Sequence, residues 1–352
     1  MKKMKVAVIG CGMIGRSQHI PAYAKNPVTE IKYLVDIKQE RAVELADKYN
    51  VPNTGVDFRD ILADKEVEAV SICTPNDTHA PIAIECLNAE KNVLCEKPAS
   101  VSLDLVKKMK DAADRNGRIL NIGVVNRFNT AVNKIKEMID NEELGNVYQI
   151  NCSFREHRSI PGLGGPFTTK AKSGGGVLID WGVHFLDLIF YCIGQPKVLT
   201  VSGGIHSQLG KEMEKYAYVD MWAGPPDYEG TYDVEDYVTG LIRTENSMIN
   251  FNGAWAQNIG QSDMSVEFLG DKAGIKLQYG EGFKIYTAKN GVLYETTPSF
   301  HKADMFYEEI DSFIKAAREN RKNRANIDNV IITSEVMEAI YKSAQLGREV
   351  TL

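Results

Sequence analysis

Two segments of this chain put polar residues where they could do chemistry. The first is Cys95-Glu96-Lys97-Pro98, which directly follows an apolar run over residues 92–95. Ligands of open α/β sheets bind beyond the carboxyl ends of the strands, so Lys97 is aimed at such a crevice if the run is a strand. An ammonium there could hold a substrate hydroxyl and stabilise oxyanion character as its proton leaves. Equally, Lys97 could be a surface lysine in a proline turn. The second segment runs from Ser173 through Gly174-Gly175-Gly176 to Asp187. Residues 178–193 are apolar almost all round, the mark of a buried helix, and Asp180, His184 and Asp187 are its strongly polar members. Their i, i+4, i+7 spacing puts them on one face. Burying three ionisable groups is costly unless they pair or face a polar cavity, so a site is expected. Imidazole titrates near pH 6.5, about where a proton acceptor must, which makes His184 the candidate base. The plainer alternative is a helix capped by Asp180, with His184 satisfied internally. Asp180 and His184 could also supply two ligands to zinc. No further Cys or His has helpful spacing, and Lys97 would compete as a fixed charge, so no metal is expected.

A third motif handles phosphate. Val6-Ala7-Val8-Ile9 runs into Gly10-Cys11-Gly12-Met13-Ile14-Gly15, a strand followed by G-x-G-x-x-G. Gly10 permits the tight turn, Gly12 lets a pyrophosphate approach the backbone, and Gly15 allows close packing of helix on strand. Met13 and Ile14 open the helix whose free N–H groups face the phosphates. Asp36 ends the next strand about twenty residues on, where a carboxylate accepts from the adenosine ribose hydroxyls and repels a 2′-phosphate. The cofactor expected is therefore NAD rather than NADP, an inference that nearby Arg41 weakens. Without a ligand, the motif would be a glycine-rich turn and Asp36 a strand-end turn residue.

Regular strand–helix alternation must position these groups. Residues 5–9, 31–36, 69–73, 92–95 and 119–123 read as strands, with helices over 14–25, 39–49, 80–89 and 103–116 and a short one within 55–64. That order gives a parallel sheet covered on both faces. Beyond residue 123 the pattern changes. A helix over 131–140 precedes strands at 147–155, 197–202, 237–243, 248–256, 265–269 and 274–278, a hairpin over 283–295, and closing helices over 303–319 and 329–346. Consecutive strands predict a largely antiparallel sheet. The fold class is thus α/β, with a Rossmann domain over 1–123 and a second α/β domain over 124–352. A chain of 352 residues is too long for one ordinary core and agrees with two. A net charge of −6 without a basic patch argues against nucleic acid or an anionic membrane as partner. No stretch approaches the roughly 20 apolar residues that span a bilayer. The six cysteines form no C-x-x-C pair and read as buried free thiols, so a cytoplasmic setting is expected.

In this order, the glycine fingerprint, Thr74-Pro75-Asn76-Asp77-Thr78-His79, Glu96-Lys97-Pro98 and the segment from Gly174 to Asp187 resemble the glucose–fructose oxidoreductase / inositol dehydrogenase (Gfo/Idh/MocA) family over essentially the whole length. The resemblance implies an open, mostly antiparallel second sheet that forms oligomer contacts, hence a homodimer or homotetramer. It implies that Lys97, Asp180 and His184 are catalytic. It also implies that Thr74, Pro75, Asn76 and His79 line the nicotinamide half of the cofactor with Glu96 beside it, and that the Lys97–Pro98 bond is cis. Read without the family, the segment 74–79 is a Pro-Asn turn and a helix cap. The glycine-rich stretch 159–170 resembles the branch that oxidises C3 of sugars, which would bring Arg155, His157, Arg158 and Lys170 near the substrate, with Asn126 and Arg127 opening the second domain. Each of these could instead simply solvate a loop. The aromatic series Tyr216, Tyr218, Trp222, Tyr228, Tyr232 and Tyr237 could stack on a sugar, fill a core or form an interface, the last being slightly favoured.

The expected activity is NAD-dependent oxidation of a secondary hydroxyl on a sugar, glycoside or cyclic polyol, with C3 of a glucoside as the specific choice. The alternatives are an inositol dehydrogenase, a glycosidase that recycles NAD, and a non-catalytic NAD-sensing protein. The last could dispense with both Lys97 and His184.

Overall fold

The computed structural model describes residues 2–218 and 223–352. It divides into two compact units, one of residues 1–128 with 303–331, the other of residues 129–302 with 332–352.

The first unit is built on a six-stranded parallel sheet. Its strands are β1 (Met4–Ile9), β2 (Thr29–Val35), β3 (Asn53–Gly55), β4 (Val67–Ile72), β5 (Asn92–Glu96) and β6 (Leu120–Gly123), in the spatial order β3-β2-β1-β4-β5-β6. This is the doubly wound order whose switch point lies between β1 and β4. Alternate residues of β1 point into two separate cores. Val6 and Val8 pack with Ile20 and Leu45, whereas Ala7 and Ile9 pack with Ala83, Leu87, Val106 and Met109. That is why the strand reads as a continuous apolar run. The helices are α1 (Ile20–Lys25), α2 (Gln39–Tyr49), α3 (Arg59–Leu62), α4 (Asn76–Asn88) and α5 (Leu103–Asn116).

Several expectations shift. The helix predicted over 14–25 is a π-helical turn, Gly15–His19, running into α1, which starts at Ile20 with Pro21 in its first turn. Helix α4 begins at Asn76 rather than residue 80, with Pro75 extended before it. The largest difference is the simple boundary at 123/124. Helix α9 (Met305–Glu319) returns to the first unit, where Ile310, Phe313 and Ile314 are fully buried on the Val6/Val8 face of the sheet. Helical periodicity tells that a face is buried, not against which sheet.

The second unit carries a nine-stranded sheet in the order β14-β13-β12-β11-β7-β10-β9-β8-β15. The strands are β7 (Val147–Arg155), β8 (Val198–His206), β9 (Tyr237–Thr244), β10 (Met248–Ala254), β11 (Asp263–Gly270), β12 (Ala273–Gln278), β13 (Gly282–Lys289), β14 (Val292–Thr296) and β15 (Val350–Thr351). Every pairing is antiparallel except β7 with β10. Helices α6 (Thr130–Asp140), α7 (Lys170–Ser173) and α8 (Val183–Cys192) complete the unit, and α10 (Ile327–Leu346) starts in the first unit and ends in this one. The run Lys170–Cys192 is, contrary to expectation, long and apolar enough to cross a membrane by length and composition. Its most apolar window is 89% buried, however, with Leu186, Ile189 and Phe190 in the core beside Phe251 and Phe268. All six cysteines are buried thiols outside any disulfide, as expected.

Candidate active site

The glycine fingerprint has the form its chemistry requires. Gly10 has φ +98°, and a Cβ on it would lie 2.4 Å from the Cys73 carbonyl oxygen. A Cβ on Gly15 would lie 2.1 Å from the Gly10 oxygen. On Gly12 it would meet nothing within 4 Å. Two glycines therefore serve the fold, while the third leaves open space at a helix start, which is what a pyrophosphate needs. Met13 is exposed beside it and Ile14 is half-buried. Asp36 is buried, and each carboxylate oxygen accepts one backbone N–H, Oδ2 from Cys11 and Oδ1 from Lys38, both at 2.8 Å. The acidic residue is thus tied to the phosphate turn and keeps lone pairs for further donors. These residues fit NAD.

The loop after β4 and the end of β5 meet through His79. Its Nδ1 lies 2.7 Å from the Pro98 carbonyl oxygen and its Nε2 2.8 Å from that of Thr74. Burial pushes its pKa down, against the two carbonyls and the neighbouring Glu96, which hold it up. His79 was expected to line the cofactor. Its two ring nitrogens face backbone carbonyls, so its hydrogen bonds tie the two loops together. Thr74 and Asn76 are half-buried and Pro75 exposed, with the Thr78 hydroxyl donating to Thr74 Oγ1 at 2.7 Å. The Lys97–Pro98 peptide is cis. Lys97 is half-buried, and Glu96, buried before it, accepts from the Lys97 N–H through Oε2 at 3.2 Å.

In the second unit, the helix expected to carry polar chemistry starts as a π-helical turn, Leu178–Gly182, and continues as α8. Asp180 is buried on the turn, and His184 is half-buried one turn on. Asp187, third on the same face, is buried and accepts from the Thr333 hydroxyl at 3.2 Å. The glycine run before this helix has a steric cause. A Cβ on Gly175 would lie 2.0 Å from Tyr341 Oη, and one on Gly176 1.9 Å from the Glu235 carbonyl oxygen. Through that gap Glu235 caps the helix: its Oε1 accepts from the Leu178 N–H at 3.1 Å and from the Tyr341 hydroxyl at 2.8 Å. Burial raises the Glu235 carboxyl above its ordinary range, against the hydrogen bonds it accepts. Sequence reasoning missed Glu235 and Tyr341. The only signal was the triple glycine, which announces a close neighbour without naming it.

Of the residues expected near a substrate, Arg127 is a correction. It is fully buried and donates to the backbone carbonyls of Arg324 at 2.6 Å and Asn329 at 2.8 Å. A buried guanidinium needs fixed acceptors, and here the returning C-terminal segment supplies them. Asn126 is buried next to it. Arg155 ends β7, donating to Ser153 Oγ at 3.0 Å and pairing with Asp263 at 3.5 Å. Arg158 donates to the Gln257 carbonyl and Asn258, whereas the side chains of His157 and Lys170 are exposed. In the aromatic series, Tyr216 is buried in the second unit's core, and Tyr218 and Tyr232 pack against that core. Tyr237 stacks on His206 with ring centroids 5.6 Å apart, and Tyr228 is exposed. Trp222 lies outside the described residues. Three of the six therefore serve packing within the second unit.

Among the described residues, one group has the spacing of a metal site: His19, Glu96 and Glu309, each offering an atom within 4.8 Å of the others. It does not include Asp180 or His184, the pair weighed for zinc from the sequence.

Residues 4–124 match the family described as an oxidoreductase family with an NAD-binding Rossmann fold, and residues 132–276 match the GFO/IDH/MocA C-terminal domain. The D-glucoside 3-dehydrogenase of Escherichia coli K12 is 30% identical over 353 residues, spanning 99% of this chain and 97% of that protein. The myo-inositol 2-dehydrogenase of Thermotoga maritima is 28% identical over 211 residues, 59% of this chain and 61% of its own. Levoglucosan dehydrogenase, solved with NADH and levoglucosan, superposes with a TM-score of 0.86 at 21% identity over 99% of both chains, a likeness of fold. The cradle, the Glu96-Lys97-Pro98 turn, the two sheets and this full-length kinship agree: the chain belongs to the Gfo/Idh/MocA family of NAD-dependent oxidoreductases.

Proposed function

We propose that this enzyme oxidises a secondary hydroxyl of a sugar, glycoside or cyclic polyol, and specifically C3 of a glucoside. The observation that carries the specific choice is the full-length likeness to D-glucoside 3-dehydrogenase. NAD, when bound, accepts the hydride. Lys97 holds the reacting oxygen and stabilises its developing charge, His184 takes the hydroxyl proton, and Asp180 orients His184 or binds a neighbouring hydroxyl. Lys97 stands at the carboxyl end of β5, where open sheets bind ligands, and Asp180 and His184 stand one helical turn apart on a capped helix. Asp36 favours NAD over NADP. Thr74, Pro75, Asn76 and Glu96 line the nicotinamide side, and Asn126, Arg155, His157 and Lys170 select the substrate; Arg127 leaves that set because its guanidinium is occupied. The active species is a homodimer or homotetramer.

A second reading, oxidation of an inositol, is favoured by the partial match to myo-inositol 2-dehydrogenase. A panel of glucosides, free sugars and inositols with NAD and NADP, read as kcat/KM from NADH absorbance, separates the two. A glucoside should lead and yield the 3-keto product. Lys97→Ala should cut turnover by about a hundredfold or more while NAD binding stays nearly intact. Turnover near wild type would end the assignment of Lys97.

A further inference from the structure

One chain of buried groups in the first unit ends on Glu96, and its other members have no part in the reaction as written above. Tyr23 Oη and Ser71 Oγ are 2.7 Å apart, Ser71 Oγ and His19 Nδ1 3.2 Å, and His19 Nε2 and Glu96 Oε1 2.8 Å. Glu96 Oε2 then accepts from the Lys97 N–H at 3.2 Å. His19 and Ser71 are fully buried, and Tyr23 and Glu96 nearly so. The groups come from the π-helical turn behind the phosphate cradle, from α1, from β4 and from the end of β5. Glu309, fully buried on α9, closes the cluster.

Room for the Glu96 carboxylate exists because residue 123 is glycine. A Cβ there would lie 2.8 Å from Glu96 Oε1 and 2.9 Å from its Cδ. A buried carboxylate is tolerated only when its oxygens are engaged. Here one oxygen meets an imidazole and the other a backbone N–H, that of the residue whose ammonium is assigned to the substrate. Burial pushes the Glu96 carboxyl up, but the hydrogen bond from His19 and the charge of Lys97 outweigh it and leave it below its ordinary value. An ionised carboxylate only accepts, so His19 Nε2 is the donor in this contact.

We propose that His19 is a positioning residue for hydride transfer: through Nε2 it fixes the Glu96 carboxylate, and Glu96 fixes the peptide N–H of Lys97 and the direction in which its side chain leaves the strand. This rests on the reading of Lys97 as the catalytic ammonium. The two ring nitrogens give a selective test, because a glutamine amide reaches where Nε2 stands and an asparagine amide only where Nδ1 stands. The full-length enzyme is assayed with NAD and its best sugar, with thermal unfolding recorded for every variant and metal content measured on the wild type and His19→Ala.

His19→Ala should lower kcat at least tenfold with the sugar KM within about threefold. His19→Gln should recover most of that loss and His19→Asn little. Gly123→Ala, which crowds the same carboxylate from β6, should reproduce the loss, and His19→Ala combined with Glu96→Ala should be no worse than the weaker single variant. If His19→Ala does not fold, the Gln, Asn and Gly123→Ala variants carry the test. Equal activity of the Gln and Asn variants, or losses that multiply in the double variant, would overturn the proposal in favour of a role in stability alone. Stoichiometric metal in the wild type that His19→Ala loses would overturn it in favour of a metal centre. Lys97→Ala is assayed alongside. If it keeps wild-type turnover, the underlying reading has failed, whereas if it collapses and His19→Ala does not, only the present proposal has.

Discussion

Alanine scanning of the three fingerprint glycines should separate what the fold needs from what the cofactor needs. A Cβ on Gly15 would sit 2.1 Å from the Gly10 oxygen, where ordinary contact begins at 3.4 Å. Gly15→Ala must therefore move the helix start off β1 by about 1 Å, against backbone on both sides. Overpacking of this kind costs about 1–3 kcal/mol. At about 2–4 °C per kcal/mol for a unit of this size, Tm should fall by roughly 2–12 °C. Gly10→Ala should be at least as harmful, since it adds a contact of 2.4 Å and a left-handed φ. Gly12→Ala meets nothing within 4 Å, and by narrowing the unfolded ensemble it should leave Tm unchanged or raise it slightly, worth about 0.4–1 kcal/mol. Its methyl group stands where the pyrophosphate must touch the backbone, so NAD affinity should fall tenfold or more, about 1.4 kcal/mol per tenfold. The assay is thermal unfolding without and with saturating NAD, together with titration calorimetry. At 100 times Kd, NAD should stabilise the wild type by about 2.7 kcal/mol, and a tenfold loss of affinity should remove about half of that shift in Gly12→Ala at the same concentration. Wild-type NAD affinity in Gly12→Ala would refute the cradle, and wild-type stability in Gly15→Ala would refute the steric argument.

Three further outcomes are expected. Asp36→Ala should weaken NAD far more than NADP and lower Tm modestly, because the Cys11 N–H loses its acceptor; equal loss of both cofactors in calorimetry would remove Asp36 from the ribose site. Arg127→Ala should cost roughly 2–4 kcal/mol of stability, by stranding the carbonyls of Arg324 and Asn329, without raising the sugar KM of the folded fraction; a selective KM effect would restore Arg127 to the substrate site. Glu235→Gln probes pH. Because burial raises the Glu235 carboxyl, the folded protein takes up a proton before the unfolded chain does, and the wild type gains stability as pH falls toward the ordinary carboxylate value of about 4.3. The stability of wild type relative to Glu235→Gln should therefore rise between pH 7 and pH 4.5 in denaturant titrations, and a constant or falling difference contradicts the assigned shift.

What was legible beforehand is what local sterics impose. Gly10 and Gly15 announce a strand–turn–helix because no other residue fits there, Gly12 between them keeps the space a ligand needs, and alternation along β1 and β7 reports which faces are covered. Asp180 and Asp187 stood out because an apolar helix has no reason to carry carboxylates. What was not legible depends on partners distant in sequence. Arg127 looks like a crevice residue until carbonyls nearly two hundred positions later take its guanidinium. His79 sits in a cofactor-loop motif, yet its ring nitrogens face Pro98 and Thr74. Nothing in the spacing of His19 points to Glu96.

The return of α9 bears on how the protein is made. Ile310, Phe313 and Ile314 are fully buried against the first sheet, yet they are translated only after most of the second unit. As the chain leaves the ribosome, the nucleotide-binding half must wait with the part of one apolar face that α9 covers still exposed while the other half is synthesised and free to fold. A fragment cut at the end of β6 would keep that part of the face bare and should aggregate. Expressing this half alone would require residues 303–331 to be spliced back onto it.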